Sequence, residues 1–585
     1  MSLSLDVRRH GGVPTLFING RPHCGMMYYG RPNTVSDFAA AGVHLCTAAL
    51  SATEPWWIGP NRYDFQAIDR LFDDYVAADS KILLMPRVHF GYGDMAWWAQ
   101  QNPGELAVGL DDRGRPVDYF ARAADNGVGC PFSFASRKFV RDASRALTAL
   151  VKHLERRDDG ERVFGYHVAG GISAEWFAWW TYIDGCAEDY GAPCRAAFRQ
   201  WLKRRYRGSV VELRRAWRDR RVTFENTDVP APHRFDDPRS GVLRDPARAQ
   251  PVIDFCLFFS EQTAAAIDAL CGAVKRACRG RKLVGVFYGY MWPHWNNLSP
   301  ARQGHAALAR LLKSRHVDFI VAPYHYDHRG LHGVHYSQTL PAAIHAAGKL
   351  HLDEIDTFTH LTRWPYESLT TVRHARTPDE SRRVLRRDAA ALIARGGAAW
   401  WMDLLHQHWH GHPAIVDTIR AARRTAERLI DRDRRSAGQI AVFVDDRASA
   451  FMRPGSDLPY HLLTAMRQFD LSRIGAPFDE RLLSDLLRDD LPDYRLCIFP
   501  NAWRLTPALR AALRRYVMRD GRWSLWLYAA DVYEDSSEER SAAPPVRLSA
   551  APARELLGIR LRMNRRWAAA RIELTARRHP LLAGL

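Results

Sequence analysis

The chain has 585 residues and a mass of 66.7 kDa, enough for two or three cores rather than one. Hydrophobic residues make up 47% and charged residues 25%, which excludes general disorder, and no run of eighteen apolar residues is present to form a membrane-spanning helix. The net charge is +18, yet only eight of the 83 basic residues are lysine, and the arginines alternate with acids, as in ERRDDGER (155–162) and RLIDRDRRS (428–436), so no nucleic-acid partner is expected.

The start, MSLSLDVRRHGG, reads as a short extension without the apolar stretch of a signal peptide. Apolar runs that suit strands then recur at 24–30, 43–50, 81–90, 162–171, 282–290, 317–326, 349–356 and 397–405. Helical periodicity fills the gaps, most clearly over 63–78, 136–157 and 379–397, the last ending in the glycines that stop a helix. Strands alternating with helices predict a parallel sheet, and eight of them are the number that closes a (β/α)₈ TIM barrel, an α/β fold. Nine scattered cysteines, odd in number and without a CxxC pair, read as reduced thiols and point to a cytoplasmic protein with no membrane partner.

The character changes after Arg435, where RRSAGQ (434–439) reads as a linker. The strand at 440–446, RLCIFPNAW (495–503), a helix over 506–521 and a strand over 522–530 predict a flavodoxin-like, class I amidotransferase-like α/β domain. The expected division is therefore 1–433 for the barrel and 438–585 for the second domain, with a further β domain expected beyond a truncated C-terminus. A glutaminase would need a cysteine on a glycine-flanked elbow, and Cys497 sits inside an apolar strand instead, so the domain is expected to serve assembly. DDRASAF (445–451) is a weak candidate for an anion-binding turn.

Thirteen of the nineteen tryptophans end a predicted strand or follow it before the next clear helix: Trp56, Trp57, Trp97, Trp98, Trp176, Trp179, Trp180, Trp292, Trp295, Trp364, Trp400, Trp401 and Trp409. In a barrel those segments gather at one mouth, and flat rings there suit the C–H faces of sugars. Two acidic positions share that mouth. Glu175 follows the fourth strand in GGISAEWFAWW (170–180), and Asp353, Glu354 and Asp356 end the seventh. Glycoside hydrolysis uses such a pair, one carboxyl protonating the leaving oxygen and the other attacking carbon or activating water. By strand alternation Glu354 and Asp356 share a face and Asp353 takes the other, so either of the first two can be the nucleophile.

These segments resemble clan A retaining glycoside hydrolases, and among them glycoside hydrolase family 42, the β-galactosidases with a trimerisation domain. NRYDFQAIDRLFDDYV (61–76) and LRRAWRDRRVTFENTDVPAP (213–232) are similar to family segments of the barrel, and the stretch from IAVFVDD to YVMRDG is similar to the trimerisation domain. The resemblance implies a retaining β-glycosidase hydrolysing oligosaccharides by double displacement, with Glu175 as acid/base and Glu354 as nucleophile, no cofactor, and a homo-oligomer, a trimer in the family. It also implies that Tyr324 steadies the nucleophile and that Trp401 floors the sugar site. One departure is Ala174, where the clan usually carries an asparagine that bonds the sugar 2-hydroxyl.

Further strand-end residues are candidates for sugar contact: Arg87, His89, Trp176, Tyr288, Tyr290, His325, Asp356 and Asp403. YHYDHRGLHGVH (324–335) and HQHWHGH (406–412) invite a metal reading, but no cysteine lies near, and sugar-contacting histidines are expected rather than a metal. The competing functions are an inverting or metal-assisted hydrolase on the same barrel and a non-catalytic carbohydrate-binding or scaffold protein.

Overall fold

The eight apolar runs form eight strands that close into a parallel barrel. They are β1 (Met26–Tyr29), β2 (Leu45–Ala49), β3 (Leu83–His89), β4 (Gly165–Ala169), β5 (Leu283–Phe287), β6 (Phe319–Pro323), β7 (Leu350–Ile355) and β8 (Ala398–Met402). β8 pairs with β1 through Ala399 opposite Met26, which closes the ring. The computed structural model describes residues 3–558 except 50–54, 92–94, 112, 118–128, 180–187, 292–298, 327–328, 364–373, 454–465, 467–469, 520 and 536–544. Both faces of the strands are covered, which is why the runs read as continuously apolar rather than alternating.

The helices of the outer layer include α1 (Val35–Ala41), α2 (Gln66–Ala78), α3 (Arg137–Arg156), α4 (Pro246–Ala277), α5 (Leu308–Leu311), α6 (Pro341–Ala346), α7 (Pro378–Ala394) and α8 (Pro413–Leu429). Their starts follow local capping chemistry: Ser136 Oγ accepts the Phe139 N–H at α3, and Thr377 accepts that of Glu380 at α7. α4 is buried nearly all round, because it packs against α3, the barrel strands β4 and β5 and the short helix at 448–451.

The second sheet has four parallel strands, β9 (Ile440–Val444), β10 (Phe478–Leu482), β11 (Leu496–Phe499) and β12 (Trp523–Trp526), in the order β10-β9-β11-β12. A helix, α9 (Pro507–Tyr516), connects β11 to β12. That order begins the flavodoxin-like sequence 2-1-3-4-5. Val442, Val444, Phe451, Met452, Trp503 and Tyr533 join the same apolar cluster as the barrel. Arg244, fully buried, ties the two parts together. Its backbone N–H bonds Phe451 O at 2.8 Å, and its guanidinium reaches Met452 O and Phe235 O.

Two elements have no counterpart in the sequence-based expectation. An antiparallel sheet of three strands (Leu5–His10, Val13–Ile18 and Arg21–His23) precedes the barrel and rests against Gly396 at the foot of β8. β10 reads FDERL, polar enough to look like a loop, yet it is buried because Tyr494 bonds both Asp479 and Arg481 at 2.5 and 2.6 Å. The DDRASAF segment is no anion-binding turn: Asp446 accepts the Ala309 N–H of α5 at 2.8 Å, and residues 448–451 form a short buried helix. Residues beyond 558, including the suspected truncation point, lie outside the described residues.

Candidate active site

The site is built at the C-terminal ends of β3, β4, β5, β7 and β8. Glu175 does not sit on β4 itself. A tight turn from Gly171 to Trp176 swings it over the strand end, and the turn places Ser173, Ala174 and Trp176 at φ of 57°, 64° and 62°. Non-glycine residues avoid this left-handed region at a cost of about 1–2 kcal/mol each. Three of them around one buried carboxylate amount to strain held in place by packing, as is common at functional sites. Gly171 is required, because at φ 71° a Cβ there would collide with the Phe177 carbonyl oxygen.

Glu354 is reached by the in-register residues of its neighbours. It lies opposite Pro323 of β6 and Trp400 of β8, so all three face the barrel interior. Trp400 Nε1 donates to Glu354 Oε2 at 2.9 Å, and the Arg87 guanidinium of β3 lies 3.6 Å from the same oxygen. Arg87 is itself held over the rings of Phe287 and Tyr29. Glu175 Oε1 accepts a 2.7 Å hydrogen bond from the Tyr290 hydroxyl. Asp356 forms a buried ion pair with Arg329, whose guanidinium stacks 3.6 Å from the Tyr326 ring centre, and Asp356 also bonds Tyr326.

Burial dominates the electrostatics. It pushes the Glu175 carboxyl up to about 8, with the Glu354 charge adding to the rise. It pushes Glu354 up to about 7, where Arg87 pulls back toward the ionised form and Asp356 opposes it. The Arg87 guanidinium and the Trp400 N–H thus favour the anion at Glu354, where Glu175 has only the Tyr290 phenol. Asp353 faces the other way, as alternation requires. It bonds His335 and His351 at 3.1 and 3.3 Å between the sheet and the helices and is held far below the usual carboxylate range by them.

Several expected site residues lie elsewhere, Tyr324 and Trp401 because of strand parity. Tyr324 is one residue past Pro323 and so points outward, where its hydroxyl bonds Thr357 and Asp388 of α7; the tyrosine beside the carboxylates is Tyr326. Trp401 faces Phe38 of α1 rather than the interior, and Trp400 occupies the position expected of it. Tyr288 bonds Gly304 O at 2.8 Å behind the strand, and Gly289, at φ 81°, breaks the alternation so that Tyr290 turns to Glu175. Trp176 is fully buried and donates to Val168 O, so it belongs to the core rather than to a sugar platform. His89 is buried on the interior face of β3 with Arg87, and His325 stacks on Tyr336 at 5.3 Å. Asp403 accepts the backbone N–H groups of Gln407 and Trp409, which shapes the loop after β8.

Of the thirteen clustered tryptophans, Trp180, Trp292, Trp295 and Trp364 lie outside the described residues. Among the described ones Trp400 alone bonds a site carboxylate; Trp97, Trp176 and Trp179 donate to backbone carbonyls. His408 pairs with Asp37 and His412 caps α8, and among the described residues no three His, Cys, Asp or Glu side chains gather to hold a metal ion. Tyr326 and Arg329 lie in the histidine-rich stretch 324–335 without a signal of their own, and only the register of β7 against β8 selects Trp400 over Trp401 as the neighbour of Glu354.

A closed (β/α)₈ barrel with two buried, differently supported carboxylates at its C-terminal mouth is an arrangement that glycoside hydrolases use. Residues 34–307, just under half of the chain, match the glycoside hydrolase 42 family described as β-galactosidase. Among solved structures, the β-galactosidase of the psychrophilic Marinomonas ef1 is 14% identical over 91% of this chain and 79% of that one, with a TM-score of 0.60. The β-galactosidase of Bacillus circulans sp. alkalophilus is also 14% identical, over 87% and 72%, with a TM-score of 0.58. That of the Antarctic haloarchaeon Halorubrum lacusprofundi is 14% identical over 86% and 72%, with a TM-score of 0.55. No curated protein matches the chain. No described helix is long and apolar enough to cross a membrane.

Proposed function

We propose that the chain hydrolyses β-galactoside-type linkages of oligosaccharides, with Glu354 as nucleophile and Glu175 as acid/base. The observation that carries this assignment is the unequal support of the two carboxyls. Glu354 has an arginine and an indole N–H to stabilise its anion, and Glu175 has a neutral phenol. A nucleophile must be ionised while the general acid is still protonated, and the unequal support favours the anion at Glu354. Asp356 is committed to Arg329, which favours Glu354 as the attacking group.

In the first step Glu354 attacks the anomeric carbon as the glycosidic C–O bond breaks, and the Glu175 proton passes to the leaving oxygen. In the second, Glu175 takes a proton from water, whose oxygen attacks the same carbon and releases Glu354. With Glu175 protonated, the anions Glu354 and Asp356 are balanced by Arg87 and Arg329, so the site suits an uncharged sugar. Ala174 offers no amide for the 2-hydroxyl, so that contact falls to another group or is absent. Residues 438–585 are read as the module through which copies assemble, a trimer by resemblance, and the scattered thiols, all buried or half-buried where described, suit the cytoplasm.

The test is azide rescue on an aryl β-glycoside that the wild type cleaves. Glu354→Ala should abolish turnover for every leaving group, and azide entering the vacated space should give the glycosyl azide of opposite configuration. Glu175→Ala should show a burst followed by slow turnover, which azide relieves with retention. Exchanged configurations would exchange the roles. A dead Asp356→Ala alongside an active Glu354→Ala would make Asp356 the nucleophile.

A further inference from the structure

The geometry points to Tyr290 as a positioning residue for the proton transfer of the first half-reaction: by holding Oε1 of Glu175, it stabilises the carboxylate that forms as the proton leaves and reserves Oε2 for that proton. This rests on the reading of Glu175 as acid/base. The phenol is fixed by unusual local architecture. Gly289 turns the chain after β5, and the Tyr290 hydroxyl meets Glu175 Oε1 at 2.7 Å with both side chains buried. His305 is stacked against Tyr290 at 4.9 Å with the planes 8° apart, and against Tyr288 at 4.8 Å and 19°. Phe177, two residues beyond Glu175, packs on Tyr290 at 5.0 Å and on His305 at 4.4 Å. Tyr288 is anchored through its hydroxyl to Gly304 O. The loop that carries the carboxylate and the loop that carries its donor are thus one packed unit.

The chemistry follows from the proton count. Before the first step Glu175 is neutral, and the phenol bond is an ordinary one. When the proton leaves with the aglycone oxygen, Glu175 becomes an anion and the same bond becomes charge-assisted, roughly doubling in strength. The buried phenol, itself held well above its usual range by burial and by Glu175, stays protonated and stays a donor. Water then gives its proton to Oε2 as its oxygen attacks the anomeric carbon and the ester bond to Glu354 breaks. The other charged and titratable groups that face Glu175 are Glu354 and Asp356 of the β7 end, Arg87 of β3 and Tyr326 after β6, and Tyr290→Phe leaves all four in place.

The experiment is Tyr290→Phe, which keeps the ring stack. With a sugar leaving group, whose departure needs the Glu175 proton, the first step should slow by roughly tenfold to a hundredfold, the value of a hydrogen bond to a charged group, whereas with dinitrophenolate, which needs no acid, it should change by no more than about twofold. On the sugar substrate the alkaline limb of kcat/KM should move to higher pH. In a Glu175→Gln background the same substitution should change the first step with the sugar leaving group by no more than about twofold. An unmoved alkaline limb, or a first step falling by one common factor for both leaving groups, would overturn the proposal, the latter marking Tyr290 as merely structural. Should Tyr290→Phe fail to fold, 3-fluorotyrosine at 290, a stronger donor, should shift the alkaline limb downward, and no shift would overturn it. If Glu175→Gln alone leaves acid catalysis intact, the fault lies with the acid/base assignment and not with the phenol.

Discussion

The two glutamates divide their work through what surrounds each carboxyl. Because both are buried, both titrate far above the ordinary range, Glu354 near about 7 and Glu175 near about 8. Turnover needs the first ionised and the second protonated, so kcat/KM should follow a bell, rising through about 7 and falling through about 8. A profile flat down to pH ~5 would mean that Glu354 titrates as an ordinary carboxylate. Stability has the related sign. The folded state holds protons that the unfolded chain releases near ~4.3, so stability is lost as pH rises from there through the folded values. Glu175→Gln should therefore be more stable than the wild type above about pH 8 and close to it below about pH 4, read by thermal melts at both.

At the scale of elements, helix starts and strand parity matter most. Ser136 begins α3 by accepting the Phe139 N–H at 2.9 Å while donating to Glu105 Oε2 at 2.6 Å. Ser136→Ala should cost about 1–2 kcal/mol in denaturant titration, because it leaves the buried Phe139 N–H unsatisfied and the half-buried Glu105 carboxylate without this donor, and kcat should stay unchanged. A loss under about 0.3 kcal/mol would show that the cap contributes little. The existence and order of the eight strands were legible, since each is a short apolar run between turn or helix signals. Which of two adjacent residues faces the sugar was not. Tyr324 against Tyr326, Trp401 against Trp400 and Tyr288 against Tyr290 each turn on one step of pleat, and that step depends on register and on the glycine-assisted turn at 289.

For the molecule as a whole, the second sheet is part of the barrel's outer wall. Phe451, Met452, Trp503 and Tyr533 share one apolar cluster with α4, and Arg244 is fully buried at the contact. Removing residues 436–585 should expose that face and a desolvated arginine, so the truncated chain should run as aggregates in light scattering. A soluble truncation with the mass per particle expected of the full-length assembly, less the missing residues, would deny the sheet both its covering role and its role in assembly.

By itself the sequence determined the barrel, the order of its strands, the two carboxylates at the C-terminal ends of strands four and seven and the change of architecture after residue 435, because periodicity and turn chemistry are local properties of the chain. Tertiary structure alone decided the company those carboxylates keep. Arg87, Trp400 and Tyr290 meet them from three different strands, Arg329 reaches Asp356 from the loop after β6, and polar β10 is buried by a tyrosine distant in sequence. Such contacts arise only when the closed ring fixes every register at once, and no local pattern encodes which side chain a closing ring brings to a given point.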